Sequence, residues 1–226
     1  MPSSARLLAI LAAHAGWYPG RKSWLWLAGV ALSVGAAVCV QLRDDATTTV
    51  VWFALVWILY YPTLVLMLGT RLRERAVLRL GEEEAFRRFA AVVSLMFLNQ
   101  GLAVGAMSAL DVWKLPLAPE LAWGLGLALA LPGLAIKVWA TDLVGVDVYY
   151  FKDLFVGRPL GAFVKSGPYR YLSNPMNGFG HLHAYGFALA SCSLSGLVAA
   201  AVCQSSIYLF WYLVERPFVQ QLQESP

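Results

Sequence analysis

Apolar residues run in long stretches along most of this chain, and polar residues gather in short segments between them. The first apolar stretch covers residues 24–41 and ends at Arg43-Asp44-Asp45. The second, 48–70, opens with threonines and Trp52 and has Tyr60, Tyr61 and Pro62 midway. A charged segment follows at 71–88, with Glu82-Glu83-Glu84 inside it. The third stretch, 89–110, carries Asn99 and Gln100 near its centre, then Gly101 and Gly105. That small-xxx-small spacing lets another helix approach closely. The fourth, 121–140, contains Gly124, Gly126, Pro132 and Gly133. Residues 141–177 are amphipathic and too polar to span. The final apolar block, 178–214, is too long for one helix and is broken at Ser191-Cys192-Ser193-Leu194-Ser195-Gly196, so it reads as two helices joined by a tight turn. A span needs roughly 20 apolar residues. The pattern therefore predicts an all-α, polytopic transmembrane helical bundle of about six spans. The shorter apolar run at 7–13 reads as an interfacial N-terminal helix rather than a signal sequence.

Composition agrees: the 226 residues are 59% hydrophobic and only 13% charged, about half the charge of an ordinary soluble domain. The net charge of +4 reads as loop bias for topology, and no basic face with interleaved aromatics suggests a nucleic-acid partner. Arg6, Arg21 and Lys22 precede the first span, and six arginines from Arg71 to Arg88 lie between the second and third. Lys152, Arg158, Lys165 and Arg170 lie between the fourth and fifth, and Arg216 follows the sixth. The opposite side holds Arg43 and Lys114. Six spans put every basic loop on one side, so both termini are expected in the cytoplasm, the membrane being the endoplasmic reticulum or a bacterial inner membrane. Cys39, Cys192 and Cys203 fall within apolar stretches, without CxxC pairing or metal-ligand spacing. Packing is their expected role, and no metal is expected.

Candidate chemistry concentrates at 165–178, the entrance to the last helix pair. Gly167-Pro168 is a turn signal. Asn174 before Pro175 reads as a helix start, and such an N-terminus suits a carboxylate or phosphate. Asn177, His181 and Tyr185 then recur every four residues on one face, while His183 points elsewhere. The last helix carries Gln204, Ser205, Tyr208, Trp211, Tyr212 and Glu215 at three- and four-residue spacing. That stripe reads either as the lining of a cavity or as interhelical hydrogen bonding.

The run Ser166-Gly167-Pro168-Tyr169-Arg170-Tyr171-Leu172-Ser173-Asn174-Pro175, then Gly178, then a helix pair ending Glu215-Arg216-Pro217-Phe218, resembles the integral-membrane phospholipid methyltransferases. These are the phosphatidylethanolamine N-methyltransferases, related to the isoprenylcysteine carboxyl methyltransferases. Asp147-Val148-Tyr149-Tyr150-Phe151 is similar to an acidic-aromatic element of the lipid enzymes. The resemblance covers roughly residues 126–218, so 1–120 would supply N-terminal helices and a basic loop and 121–226 the methyltransferase core. It implies S-adenosylmethionine as cofactor, with Gly133, Gly167, Tyr169, Asn174, Pro175, Gly178, His181, Glu215 and Arg216 at the matching binding positions. Gly133-Leu134-Ala135 stands where the family has Gly-x-Gly, and Glu215-Arg216 where it has an acidic pair.

The implied reaction is methyl transfer to the headgroup amine of a membrane phospholipid, phosphatidylethanolamine or its methylated derivatives. The amine must lose a proton. Glu215, His181 and Asp147 are the candidate catalytic groups, with Asp142 and Tyr212 as further candidates for orienting the amine. Lys165 and Arg170 are candidates for the lipid phosphate, and Tyr208 and Tyr212 for lining the substrate site. Competing readings are an isoprenylcysteine or small-thiol methyltransferase, and a non-enzymatic transporter or lipid-binding scaffold.

Overall fold

The apolar stretches form helices whose first turns are set by the polar residues flanking them. The computed structural model of the protein describes residues 3–18, 24–43, 45–110, 113–159 and 164–224. Arg21, Lys22 and Asp44 lie outside the described residues. Helix α1 is Ser4–His14, α2 Trp24–Arg43, α3 Ala46–Leu68, α4 Leu72–Leu80, α5 Glu82–Ala109 and α6 Pro119–Val144. After α6 come two short helices, α7 (Val146–Tyr149) and α8 (Lys152–Val156), then α9 (Leu182–Ala190), α10 (Leu194–Phe210) and α11 (Arg216–Glu224). Helix α3 starts where the Asp45 carboxylate accepts from the Thr47 and Thr48 amides, at 3.3 and 2.7 Å. The Ser193 hydroxyl caps α10 by accepting from the Gly196 amide at 3.0 Å. Three glutamates in the first turn of α5 complement its dipole, and Pro119 opens α6.

Among the described residues, five helices are long and apolar enough to cross a bilayer: α2, α3, α5, α6 and the run Leu194–Gln220 that joins α10 to α11. Their outer faces carry Trp24, Leu32, Leu131 and Leu209, all exposed, as a lipid-facing surface requires. This is a multi-pass membrane protein. The sixth expected passage takes a different form. In its place helix α9 is 9 residues long and is preceded by a 3-10 turn at Phe179–His181, too short to be a span by itself. The helix expected to start at Asn174-Pro175 is a set of turns instead. The Asn174 carbonyl accepts from the Gly178 amide and that of Pro175 from the Gly180 amide. Gly178, at φ −83° and ψ −104°, interrupts the helical path. Irregular backbone is tolerated at this depth because it is buried in protein and lines a cavity. The Gln204 amide donates to the carbonyls of Asn177 and Gly178.

Helix α9 lies antiparallel against α6 with almost no gap. A Cβ on Gly126 would stand 2.7 Å from the Gly186 carbonyl oxygen, one on Gly186 2.5 Å from that of Gly126, and one on Gly133 2.6 Å from the His183 nitrogen. Glycine is required at all three for this approach. Gly101 and Gly105, expected to serve such a contact, have nothing within 4 Å of a Cβ. The glycine-to-glycine approach belongs to α6 and α9, and α5 meets a neighbour this closely at Ser108, where a Cβ on Gly196 of α10 would stand 2.9 Å from the Ser108 Cα, not at Gly101 or Gly105.

The amphipathic stretch after α6 folds inward. Tyr150, Leu154 and Phe155 are buried in one core with Tyr60, Tyr61 and Leu64 of α3, Phe86 and Phe89 of α5, and Phe210 of α10. Surface ties gather the basic segments at this end of the bundle. Arg6 pairs with Asp142, Lys152 with Glu83 and Arg158 with Glu82, and Arg73 donates to the Leu154 carbonyl. At the far end the Leu115 amide donates to the Cys192 carbonyl, and the Leu194 amide to that of Trp113. Lys114 lies there, well away from the basic cluster.

Candidate active site

A cavity of about 1120 Å³ opens in the basic half of the bundle, between α5, α6, α10 and the 164–177 loop. Its loop wall carries Lys165, Tyr169, Asn174 and Asn177, and its helical walls include Lys137, His181, Trp211, Glu215 and Arg216. A deeper branch runs along Gly101, Val104, Gly105 and Ser108 of α5, where the missing glycine side chains leave open space.

The loop wall is fixed from several directions. Gly167 sits at φ 57°, and a Cβ there would lie 2.7 Å from Leu143, so the Gly167-Pro168 turn is pressed against the end of α6. Pro168 and Pro175 are buried. The Asn174 side chain accepts from the Asn177 amide at 3.2 Å, which leaves its Nδ2 amide buried without a partner. The Tyr169 hydroxyl is likewise buried and unpartnered. Burial, with Glu215 beside it, pushes the Tyr169 phenol up and keeps it a neutral donor. Buried polar atoms are almost always satisfied, so two orphans in one cavity wall mark where a ligand's acceptors belong.

Glu215 ends a π-helical turn, Trp211–Glu215, and such turns often sit at functional sites. The cavity stripe on this helix is Cys203, Ile207, Trp211 and Glu215, spaced by four. The expected stripe is divided. Gln204 and Tyr208 face a separate small cleft with Asn174, Gly178 and Leu182, and Tyr212 is 58% exposed. Both sequence readings of the stripe hold in part, since Gln204 also accepts from the Tyr185 hydroxyl at 2.7 Å.

His181 lines the cavity, and its Nε2 lies 3.1 Å from the Ala200 carbonyl oxygen. A carbonyl only accepts, so Nε2 carries the hydrogen and Nδ1 keeps a lone pair. Asp147 is occupied elsewhere: it pairs with Lys152 at 3.0 Å and accepts from the Tyr18 hydroxyl at 2.9 Å, bracing α7 against the N-terminal segment. Asp142 pairs with Arg6, Arg170 stacks on Tyr171 at 5.7 Å, and Gly133 lies beneath α9. Lys137, Tyr149, Phe151 and Asp153 also line the cavity, although none is among the expected site residues. Phe151 is held there at φ 63°. A single lysine inside an apolar stretch, Ile136-Lys137-Val138, is a signal the hydropathy pattern contains.

Residues 121–224 match the family model described as "Phospholipid methyltransferase". Among curated relatives, "Phosphatidylethanolamine N-methyltransferase" of Arthroderma benhamiae is 29% identical over 185 residues, covering 75% of this chain and 19% of the relative. The protein of the same name from Trichophyton verrucosum is 29% identical, covering 75% of this chain and 18% of the relative. That from Uncinocarpus reesii is 27% identical over 151 residues, covering 63% and 15%. The chain thus spans less than a fifth of the length of these relatives. No solved structure matches. The matched segment contains the loop wall, the α9 hairpin and the Glu215 turn, so the half of the chain that builds the cavity is the part similar to the phospholipid methyltransferases.

Proposed function

We propose that the protein transfers a methyl group from S-adenosylmethionine to the headgroup amine of a membrane phospholipid, phosphatidylethanolamine or a partly methylated derivative. The observation that carries this reading is the pair of orphaned donors, Tyr169 OH and Asn174 Nδ2, in the wall of a cavity that Glu215 also lines. An adenosyl amino acid offers acceptors to the two donors and an ammonium to the Glu215 carboxylate, so the residues present fit the group. When bound, it supplies an electrophilic methyl on a sulfonium. Rate enhancement then rests on alignment of the amine and on removal of its proton. His181 Nδ1 is the base, since its Nε2 is committed to the Ala200 carbonyl. Asp147 acts by positioning α7 through Lys152 and Tyr18. Lys165, on the cavity rim, attracts the lipid phosphate. The basic end of the bundle is cytoplasmic by the positive-inside rule.

Purified protein in mixed-lipid nanodiscs, supplied with methyl-labelled S-adenosylmethionine, tests this directly. Label in mono-, di- or trimethylated ethanolamine lipids is the expected result and identifies the steps performed. Cofactor binding without labelled lipid would redirect the search to prenylcysteine or small-thiol acceptors. No cofactor binding would overturn the reading.

A further inference from the structure

Lys137 lies inside the α6 span, is 7% exposed, and lines the cavity. Among the described residues it makes no hydrogen bond or ion pair, and its one close polar compensation is the Phe97 ring, 5.3 Å from Nζ. The titratable groups that face it among the described residues are three imidazoles, and no carboxylate is among them. His14 from α1, His181 and His183 stand within electrostatic reach of it. Each has a ring nitrogen committed elsewhere, to Thr141 Oγ1, the Ala200 carbonyl and the Gly180 carbonyl. The acidic groups of the cavity stand apart from this cluster: Glu215 and Asp153 act on each other, and Glu215 on Tyr169. The cavity therefore has a cationic pole on α6 and an acidic pole where α10 meets the 145–158 segment. An apolar side chain of the same length would fill the Lys137 position without the penalty of burying an ammonium.

We propose that Lys137 is a ligand-binding residue that receives the anionic oxygens of a zwitterion held between the two poles. This rests on the methyltransferase reading, and both of its ligands carry an anionic group together with a cationic one. The anion is either the phosphodiester of the lipid or the carboxylate of the cofactor, and Lys137 would hold either as a point charge. Lys137 and Glu215 line the same cavity, so a ligand whose anion meets Lys137 can turn its cationic end to the acidic pole.

The test compares wild-type, K137M and K137R protein in nanodiscs. Affinity would be measured by calorimetry for S-adenosylhomocysteine and its decarboxylated analogue, and KM for phosphatidylethanolamine. If the phosphodiester is the partner, K137M raises the lipid KM at least tenfold and leaves both cofactor analogues unchanged. If the carboxylate is the partner, K137M loses at least tenfold in S-adenosylhomocysteine affinity and no longer distinguishes it from the decarboxylated analogue. K137R should retain most binding in either case. K137M equal to wild type in both assays overturns the proposal, as does parallel loss in K137M and K137R with lowered melting temperature. A second measurement needs no variant: labelling of Lys137 by a membrane-permeable amine reagent, read by peptide mass. Protection by S-adenosylhomocysteine or by trimethylated lipid is expected, and equal labelling with and without both overturns the assignment. Wild-type protein that binds no cofactor and methylates no lipid would overturn the functional reading itself. Normal wild-type turnover with Lys137 unprotected would overturn this assignment alone.

Discussion

Tyr169, Asn174 and Glu215 are the side chains on which the proposed cofactor site rests. Two neutral donors without protein partners and one carboxylate line the same cavity. Hydrogen bonds to charged ligand groups are worth roughly 1.5–3 kcal/mol each. Asn174→Ala and Glu215→Gln should therefore each weaken S-adenosylhomocysteine binding by about tenfold or more, with melting temperatures close to wild type. Calorimetry would check this, and unchanged affinity in both variants would sink the assignment. These three residues are legible in the sequence because they fall in a motif. Lys137 is visible as a lone charge in an apolar stretch but belongs to no motif, and only the fold shows that it faces the cavity. Asp147 is legible as part of an acidic-aromatic element, but only the fold shows its carboxylate held by Lys152 and Tyr18.

At the scale of the helices, the apolar stretches locate α2, α3, α5, α6 and α10 closely, because twenty-residue spans leave an unmistakable pattern. The pattern fails at α9. Asn174-Pro175 carries the local chemistry of a helix start, yet the hydrogen bonds of Gly178 and Gly180 close turns, and contact with α6 decides where the helix begins. The glycines show the same limit. Spacing marks Gly101 and Gly105 for packing, whereas the close approach uses Gly126, Gly133 and Gly186. Open space beside Gly101 gives a test that separates site from scaffold. Gly101→Leu fills the deeper branch of the cavity without displacing a neighbour. It should lower lipid turnover at least tenfold while shifting stability by less than about 1 kcal/mol, well below the 1–3 kcal/mol of true overpacking. Parallel chemical melting and methylation assays would show it, and full activity would mean the branch is unused.

Across the whole molecule, the basic segments collect at one end and are tied together there by ion pairs with Glu82, Glu83 and Asp142. Loop charge alone predicts that grouping, since it follows from the parity of the crossings. Helix α1 joins the same end through His14, whose Nε2 meets Thr141 Oγ1 at 2.9 Å. Burial, with Lys137 and His183 beside it, pulls the His14 imidazole from its ordinary 6.5 down to about 3. Between those values the unfolded chain takes up a proton that the folded protein refuses, so stability is full above pH 6.5 and falls as pH drops toward 3. The loss by pH 4.5 should be on the order of 1 kcal/mol after allowing for partial exposure. Melting curves at pH 7.5 and 4.5 for wild type and His14→Gln would isolate it. An identical pH dependence in the two proteins would exclude His14 as the source.

The short α9 has a consequence for how the chain enters the bilayer during synthesis. Its 9 residues rise about 14 Å, half of a hydrocarbon core roughly 30 Å thick. No translocation machinery can release such a segment sideways into lipid as an independent stop. It has to travel with α10 as a hairpin, and α6 must already be waiting, because the Gly126 and Gly186 backbones have no other surface to meet. Assembly of the cavity is then a late event of biogenesis: its walls are incomplete until α10 and the turn that bears Glu215 have left the ribosome.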